Sequence, residues 1–405
     1  MLDSTLALLT EGYAWLPDRR RRTHGKPVRC RLMGKNAVAL HGPEAVRFFY
    51  DESHIVRRGA LPGPLLDTLF GRGAVHTLDG QAHRVRKALF MSLLKDHGSL
   101  EGLAGHLEAA WDVAHQRWVG RDRVSFFDES SVLLTRAVCA WAGIPLANGE
   151  AEETAHDLVA MVDGFLSSGP RHLRARRART RQEARFARRI DRVRSGAEEA
   201  PAASVLATVA DHRDADGRPL DLHTAAVEVL NVIRPTVAVS WFLAFAAHAL
   251  QRWPEQRTLL VEDDGVHARA FSQEIRRFYP FAPFIGGLAA ADLRWAGEDI
   301  PAGSMVLLDL YGQNHDPQLF PEPYAFEPRR FLRHEPGRDE LVPQGGGDAA
   351  TNHRCPGEDV TLTVLETLVP RLAALRYDVP TQDLRIPLRR VPTAPRSGFI
   401  MSNVR

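Results

Sequence analysis

Cys355 is the residue of this sequence whose surroundings point most clearly to chemistry. It lies in the segment 343–358, PQGGGDAATNHRCPGE, whose glycines and small residues let the backbone approach a flat ligand closely. An apolar pattern of helical spacing starts after the Cys-Pro-Gly turn, so Cys355 stands at a helix N-terminus, which favours a thiolate. His353 and Arg354 add positive charge beside it. Because a thiolate binds iron strongly, the pattern predicts an axial iron ligand; an unreactive buried cysteine is the alternative.

Arg234 is the second candidate, because it lies within the apolar stretch 229–239, VLNVIRPTVAV. The nearest acid on the same predicted helix is Glu228, six residues away and on another face. A buried charge without a partner is costly, so Arg234 either reaches water or meets an anionic ligand. A carboxylate would form a bidentate pair with it. Pro235 clashes with the carbonyl of Asn231, which predicts a kink that opens space; an arginine paired with a distant acid in a structural kink is the alternative.

Helical periodicity dominates the elements that must position these residues. Helices are predicted at 81–95, 129–143, 151–168 and 221–252, the last capped by Asp221. Strand patterns are few and mostly C-terminal, at 304–310 and 398–403. The predicted fold class is therefore mainly α with small β-sheets, in a single domain over residues 1–405.

Composition excludes several classes of protein. Hydrophobic residues make up 44% of the 405 residues and charged residues 25%, with a net charge of +2, which points to no particular charged partner. The three cysteines are widely spaced without a CxxC pair, so neither a disulfide framework nor a structural zinc site is expected. A cytoplasmic location is expected instead. Cys30 and Cys139 are interpreted as unreactive buried cysteines. No membrane span is predicted, since no stretch reaches roughly 18 uninterrupted apolar residues. The segment 171–194 holds eleven arginines against two acids, but the rest of the chain is not basic, so we interpret it as a solvated helix face rather than a nucleic-acid site.

The cysteine loop and three further segments together resemble the cytochrome P450 superfamily. Glu274-Ile275-Arg276-Arg277 is similar to its Glu-x-x-Arg helix, and Pro328-Arg329-Arg330-Phe331 to the box that supplies a third, arginine member, here with Arg329 in place of a glutamate. Asn314-His315-Asp316-Pro317 also resembles a turn of that superfamily. The resemblance runs from roughly residue 25 to the C-terminus. It implies a cytochrome P450 fold with a long central helix over a haem b, a cysteine loop beneath it, and Cys355 as the iron ligand.

Two departures resemble the bacterial fatty-acid peroxygenase branch, which uses hydrogen peroxide directly and includes alkene-forming decarboxylases. Gln344-Gly345-Gly346-Gly347 opens a longer loop where the superfamily usually has a phenylalanine, and Arg234-Pro235 stands where the central helix usually carries an acid and a threonine. The resemblance implies a fatty acid held by Arg234, whose carboxylate acts as the acid–base that the helix lacks. The expected products are α- or β-hydroxy acids, or terminal alkenes after decarboxylation, without an obligatory redox partner.

The same resemblance assigns supporting residues. The expected haem contacts are His83 and Lys87, which share a helix face, together with His353, Arg354, Gln344 and Gly345. Phe70 and His76 flank a flexible loop, Gly71-Arg72-Gly73, near the substrate carboxylate, and alkene-forming relatives carry a histidine at the position of His76. An acyl channel is expected along Phe165 and Phe281, with weaker candidates at Pro283, Phe284, Phe399 and Met401. The alternatives are surface cations, a surface histidine and ordinary core phenylalanines.

Two other functions fit parts of the pattern. One is a reductase-dependent P450 monooxygenase acting on another carboxylic acid, which the missing acid on the central helix argues against. The other is a non-catalytic haem or fatty-acid binding protein, which Arg234 and Pro235 beside the expected haem argue against.

Overall fold

Helices form most of the chain in the computed structural model, which describes residues 3–147, 149–262 and 265–405. The α-helices of these residues are α1 (Thr5–Glu11), α2 (Trp15–Arg22), α3 (Pro43–Tyr50), α4 (Gly63–Leu65), α5 (Gly80–Leu94), α6 (His97–Trp118), α7 (Phe126–Trp141), α8 (Glu150–Asp163), α9 (Pro170–Arg194), α10 (Val205–Asp211), α11 (Leu222–Val237), α12 (Ser240–Arg252), α13 (Glu255–Val261), α14 (Val266–Phe278), α15 (Leu310–Asn314), α16 (Arg330–Arg333) and α17 (Glu358–Ala374). Two 3-10 turns, Gly12–Ala14 and Val75–Thr77, and a π-helical turn, Leu66–Phe70, complete the helical structure. The mainly helical prediction is confirmed.

The strands form one five-stranded sheet and two two-stranded sheets. They are β1 (Val28–Leu32), β2 (Lys35–Leu40), β3 (Ile55–Val56), β4 (Val124–Ser125), β5 (Phe284–Ala289), β6 (Leu293–Trp295), β7 (Glu298–Ile300), β8 (Met305–Asp309) and β9 (Ile400–Met401). The five-stranded sheet has the order β1-β2-β8-β5-β3, in which only β2 and β8 run parallel; β4 pairs with β9, and β6 with β7.

The strand prediction was right at the C-terminal end of the chain and incomplete at its start. The stretch 304–310 forms β8, and 398–403 contributes only the two residues of β9. We did not predict β1 and β2, although β1 alternates buried and exposed residues as a half-buried strand should. The sequence pattern thus missed the N-terminal strands, while five of the nine strands of the described residues lie after residue 280.

The central stretch predicted as one helix is divided between α11 and α12. The side chain of Asp221 accepts a hydrogen bond from the backbone N–H of Thr224, which confirms the predicted cap. Pro235 lies in the last turn of α11, and Ala238 and Val239 separate the two helices. The stretch Leu222–Arg252 is long and apolar enough to cross a membrane, but 94% of its most apolar window is buried inside the protein, as in a core helix.

Helix α5 buries polar residues as well as apolar ones. Its apolar residues Leu89 and Phe90 join the main core, yet His83, Arg86 and Lys87 are each no more than 3% exposed. A helix that buries cations must offer them to partners inside the protein. This helix, α11 and the loop before α17 surround the site described next.

Candidate active site

Cys355 and Arg234 line the same internal cavity, of about 350 Å³. Cys355 lies three residues before α17 begins, as predicted, and its backbone N–H donates a 3.4 Å hydrogen bond to the carbonyl of Gln344. The predicted site residues that line this cavity are Phe70, His76, His83, Lys87, Phe165, Arg234, Pro235, Phe281, Gln344, His353, Arg354 and Cys355. Among the described residues that line it there are cations and neutral groups but no aspartate or glutamate. The cavity therefore suits ligands that bring negative charge.

Gln344 connects the cysteine loop to the helices around it. Its Oε1 accepts a 3.2 Å hydrogen bond from Nε of Arg276, and its Nε2 donates to Oγ1 of Thr361 at 3.0 Å. The same Nε2 lies 3.8 Å from Sγ of Cys355. The amide thus donates toward the sulfur as well as to Thr361. The glutamine that replaces the family's usual phenylalanine therefore serves as a polar support of the cysteine.

Gly345, which we expected among the cofactor contacts, is outside the cavity lining. Its φ is +90°, and a Cβ built there would lie 2.1 Å from the hydroxyl of Tyr50. Glycine is needed here because the loop packs against the Tyr50 ring with no space for a side chain. The role of Gly345 in this structure is to shape the loop.

Arg354 lines the cavity, but its guanidinium binds a carboxylate beneath the loop. Glu358 accepts from Arg354 at 2.6 Å and from Arg276 at 2.5 Å. Burial opposes ionisation of Glu358, but the two guanidiniums outweigh it and lower its pKa to about 2. This network joins α14 to the residue before Cys355 and to the first residue of α17.

Glu274 and Arg277 form the buried ion pair expected of the Glu-x-x-Arg helix. Both side chains are fully buried and form two hydrogen bonds of 2.7 Å. Nε of Arg330 lies 3.3 Å from the same carboxylate, so the third member predicted in the Pro-Arg-Arg-Phe box is in place. Arg277 also donates to the carbonyls of Asn314 and Pro323, at 2.9 and 2.8 Å. This clamp fixes α14 and the segment that leads to the cysteine loop.

His83, Lys87 and His353 form a buried corner of the cavity that contains one ammonium and two imidazoles. Nζ of Lys87 donates a 2.5 Å hydrogen bond to the carbonyl of Arg354, and burial lowers its pKa to about 8. The His83 and His353 rings stack with centroids 3.7 Å apart and planes inclined by 21°. Burial lowers the pKa of His83 to about 3 and that of His353 to about 4, so both rings are neutral near pH 7. Nδ1 of His83 and Nε2 of His353 are buried without a hydrogen-bond partner.

The same corner superficially resembles a metal site. Ligand atoms of Glu52, His83 and His353 lie within 4.8 Å of one another. A metal ion bound by two imidazoles must lie near both ring planes, whereas these rings are stacked almost parallel. The geometry therefore argues against one metal ion shared by these residues.

Arg234 is buried on α11, with only 6% of its surface exposed, and faces the cavity. Its one hydrogen bond among the described residues is a long contact, 3.4 Å from Nη2 to Oδ1 of Asn231, and its Nε has no partner. Burial, with Arg179 nearby, lowers the pKa of Arg234 to about 9, so it remains charged at neutral pH. Among the described residues no carboxylate pairs with Arg234.

Phe70 and His76 lie on either side of a turn that packs against Arg179 of α9. Their rings are 4.7 Å apart. Gly71 has φ +87°, and a Cβ there would lie 2.1 Å from the guanidinium of Arg179, which donates to the carbonyl of Leu69 at 2.7 Å. Burial and the neighbouring cations, Arg234 first, hold the pKa of His76 well below its ordinary value. His76 is thus a neutral imidazole beside Arg234.

Arg179 was missed because it belongs to the arginine-rich segment that we interpreted as a solvated face. That segment forms α9, and most of its arginines are exposed. Arg179 is only 2% exposed and pairs with Glu183 at 2.7 Å. Its spacing with buried Ala175, Gln182 and Phe186 was the available signal, since these residues share one helix face.

The apolar part of the cavity contains most of the predicted channel residues. Phe165, Phe281, Pro283 and Phe284 line it. Phe399 and Met401 do not; they are fully buried in the main core. We did not predict the lining residues Tyr50, Phe242 or Val239, because they come from elements whose apolar patterns look like ordinary core.

Residues 268–372 match the family model described as cytochrome P450. The solved structures of cytochrome P450SP alpha (CYP152B1) variants are 41% identical to this chain, cover 100% of it and 99% of their own length, and have a TM-score of 0.97. The chain belongs to the cytochrome P450 family. Ligand-free cytochrome P450 OleT is 36% identical, with 100% and 97% coverage and a TM-score of 0.97. The resemblance to the bacterial fatty-acid peroxygenase and decarboxylase branch of this P450 family is thereby confirmed.

Curated P450 relatives match over shorter stretches. Cyclooctat-9-en-7-ol 5-monooxygenase of Streptomyces melanosporofaciens is 29% identical over 45% of this chain and 43% of its own length. Cytochrome P450 4e5, mitochondrial, of Drosophila mettleri is 29% identical over 42% of this chain and 35% of its own length. The chain thus aligns with less than half of each of these proteins.

Membership of the P450 family implies a haem, and the cavity residues fit one. Cys355 would supply the thiolate ligand to its iron. The buried ammonium of Lys87 suits the carboxylates on a haem's edge. Gly357 leaves the space beside the sulfur open, since a Cβ there would lie 3.7 Å from Sγ.

Proposed function

We propose that this P450 is a hydrogen-peroxide-dependent fatty-acid peroxygenase that contains haem b. It hydroxylates the α or β carbon of fatty acids, decarboxylates them to terminal alkenes, or does both. The observation that carries the proposal is Arg234, a buried cation that faces the haem cavity and has no carboxylate partner among the described residues. A fatty-acid carboxylate would complete this site.

Arg234 fixes the position of the substrate. An ion pair between its guanidinium and the substrate carboxylate places the first carbons of the chain nearest the Cys355 side of the cavity. The remaining methylenes lie along the apolar lining, which includes Phe165, Phe242 and Phe281. This arrangement explains why reaction is expected at the α and β carbons rather than further along the chain.

Proton transfer is assigned to the substrate itself. The haem supplies an oxidising iron centre when it is bound by Cys355. The described residues that line the cavity include no aspartate or glutamate that could move a proton beside it. The carboxylate held by Arg234 is the available acid–base group of suitable strength.

His76 is assigned a supporting role in choosing the product. Its lowered pKa keeps the imidazole neutral, so it accepts or donates one hydrogen bond but does not act as a cationic acid. Nδ1 of His76 is buried without a partner, and the ring lies beside Phe70. A hydrogen bond from His76 to the substrate carboxylate would hold the carboxylate while its bond to Cα breaks.

Two structural relatives support a carboxylic-acid substrate. One solved structure is of CYP152B1 in complex with (R)-ibuprophen, and another is of an OleT variant in complex with arachidonic acid. Both ligands are carboxylic acids. These proteins are 41% and 36% identical to this chain over its whole length.

We also propose a cytoplasmic location and no obligatory redox partner. An electron-donating protein would approach the surface beneath the cysteine loop. The cations of that surface are paired with acids, such as Lys95 with Asp359 at 2.8 Å and Arg338 with Asp348 at 3.5 Å. Because this surface carries no evident excess of positive charge, it offers little electrostatic attraction to an acidic donor.

The decisive test is to incubate the purified haem-loaded protein with hydrogen peroxide and saturated fatty acids, without a reductase, and to identify the products by mass spectrometry. We expect hydroxy acids, one-carbon-shorter alkenes, or both. The R234A variant should keep its haem and lose this turnover, whereas R174A, on the exposed face of α9, should behave as wild type. Product formation only with NADPH and redox proteins would reject the proposal and support a reductase-dependent monooxygenase; full turnover by R234A would reject the role of Arg234.

A further inference from the structure

Glu228 is a fully buried carboxylate one and a half helical turns before Arg234 on α11. Its Oε1 accepts hydrogen bonds from the backbone N–H of Val75 at 2.8 Å and from Nη1 of Arg86 at 2.7 Å. Its Oε2 accepts from Nδ2 of Asn231 at 3.0 Å. Burial raises the pKa of Glu228, while Arg86 and these hydrogen bonds oppose that rise. The carboxylate therefore has a donor from each of three different parts of the chain.

The contact with Glu228 decides which way the Asn231 amide faces. An ionised carboxylate only accepts hydrogen bonds, so the amide must present its NH2 group to Glu228. Its carbonyl oxygen, Oδ1, then faces Arg234 and accepts from Nη2 at 3.4 Å. Reversing the amide would set oxygen against oxygen at Glu228 and two donors against each other at Arg234. From the sequence we placed Glu228 on a different helix face from Arg234, and we did not predict that Asn231 connects the two side chains.

The same carboxylate fixes the neighbour of His76. Val75 precedes His76 in the 3-10 turn, and its N–H is held by Glu228. Both groups that meet the substrate carboxylate in the proposed function are thus anchored, directly or through one amide, to a single side chain. Arg86, which also pairs with Asp214, balances its charge.

We propose that Glu228 is a positioning residue for the substrate carboxylate, which sets the orientation of Arg234 through Asn231 and the position of His76 through Val75. The proposal rests on the proposed function of Arg234 as the carboxylate anchor. Glu228 does not line the cavity, so its effect is transmitted through these contacts.

The E228Q variant tests this directly. The glutamine oxygen must still accept from Val75 and Arg86, so its NH2 group faces Asn231. The Asn231 amide then has to reverse and present a donor to Arg234. We expect the Kd for a saturated fatty acid to rise by about tenfold, the effect of a lost hydrogen bond to a charged group. We also expect the ratio of α- to β-hydroxylated product to change, because the carboxylate is held differently.

Binding is measured by isothermal titration calorimetry on the haem-loaded protein, which requires no turnover. D214N is the matched control: it breaks the outer pair of Arg86 and leaves the contact between Glu228 and Asn231, so its Kd and product ratio should stay at wild-type values. N231L removes the linking amide and should weaken binding as E228Q does. If Glu228 acts on Arg234 through that amide, adding E228Q to N231L should change the Kd by less than about twofold.

The outcomes separate this proposal from the proposed function. A wild-type Kd and product ratio in E228Q, or additive effects of E228Q and N231L, would overturn the positioning role. Wild-type protein that binds fatty acids but yields no product with peroxide would reject the proposed function, while the pattern of Kd values would still decide whether Glu228 positions the anchor. If E228Q does not fold, N231L compared with D214N tests the same link from its other end.

Discussion

Replacing Glu358 with glutamine measures how much the ion pairs beneath the cysteine loop contribute to stability. The carboxylate is held between Arg276 and Arg354, and its side chain is 14% exposed. Glutamine keeps the shape and removes the charge, so it imitates the protonated acid. The comparison therefore isolates the ionised form of one side chain.

The magnitude follows from the pKa of Glu358, which the two guanidiniums lower from 4.5 to about 2 against the opposing effect of burial. A tenfold change in acidity corresponds to about 1.4 kcal/mol, so ionised Glu358 stabilises the folded protein by about 3 kcal/mol near pH 7. Because the folded-state pKa is the lower one, this contribution is complete above the unfolded-state value and is lost as the pH falls toward about 2. At pH 3.5 about 2 kcal/mol should remain.

Urea unfolding of wild type and E358Q at several pH values between 7 and 3.5 tests this reasoning. E358Q should be less stable by about 3 kcal/mol at pH 7, and the difference should shrink as the pH falls. E101Q is the control, because Glu101 is 71% exposed and should contribute almost nothing. A difference that is independent of pH, or equal stability at pH 7, would refute the assignment of the stabilisation to the ionised carboxylate.

Two further predictions concern the surroundings of the site. R277L leaves the fully buried Glu274 without its main partner, which should cost about 3–5 kcal/mol and abolish the recovery of folded, haem-loaded protein, as measured by the yield of holoprotein. G71A forces a Cβ to within 2.1 Å of the Arg179 guanidinium, whereas G120A has the same left-handed backbone with open space around it. G71A should therefore weaken fatty-acid binding and lower the Tm more than G120A does, and equal effects of the two substitutions would contradict the packing argument.

The sequence alone predicted those features of the site that depend on residues close together in the chain. Cys355 precedes α17 because the Cys-Pro-Gly turn and the apolar spacing after it define a helix start within a few residues. Arg234 is buried because most of its neighbours on the helix are apolar, and no distant contact was needed to foresee this. The ion pair of Glu274 and Arg277 was predictable for the same reason, since residues three apart on a helix are neighbours.

Contacts between distant segments were not predictable in this way. Arg179 lies 110 residues from the carbonyl of Leu69 that it binds, and nothing in its own helix distinguishes it from the exposed arginines around it except one buried face. Gly345 has its φ of +90° because Tyr50, far away in sequence, occupies the space beside it. The link from Glu228 through Asn231 depends on which way a single amide faces, which composition and spacing do not specify.

The balance of buried charge explains why these distant contacts are needed. A cavity that keeps Arg234 unpaired raises the free energy of the folded protein, because a buried cation without a partner is desolvated and uncompensated. Two other buried cations of the described chain are paired with acids, Arg86 with Glu228 and Arg179 with Glu183, whereas Arg234 is left to be completed by ligand. A carboxylate that binds only the folded state then stabilises it by mass action, so stability and substrate recognition depend on the same guanidinium.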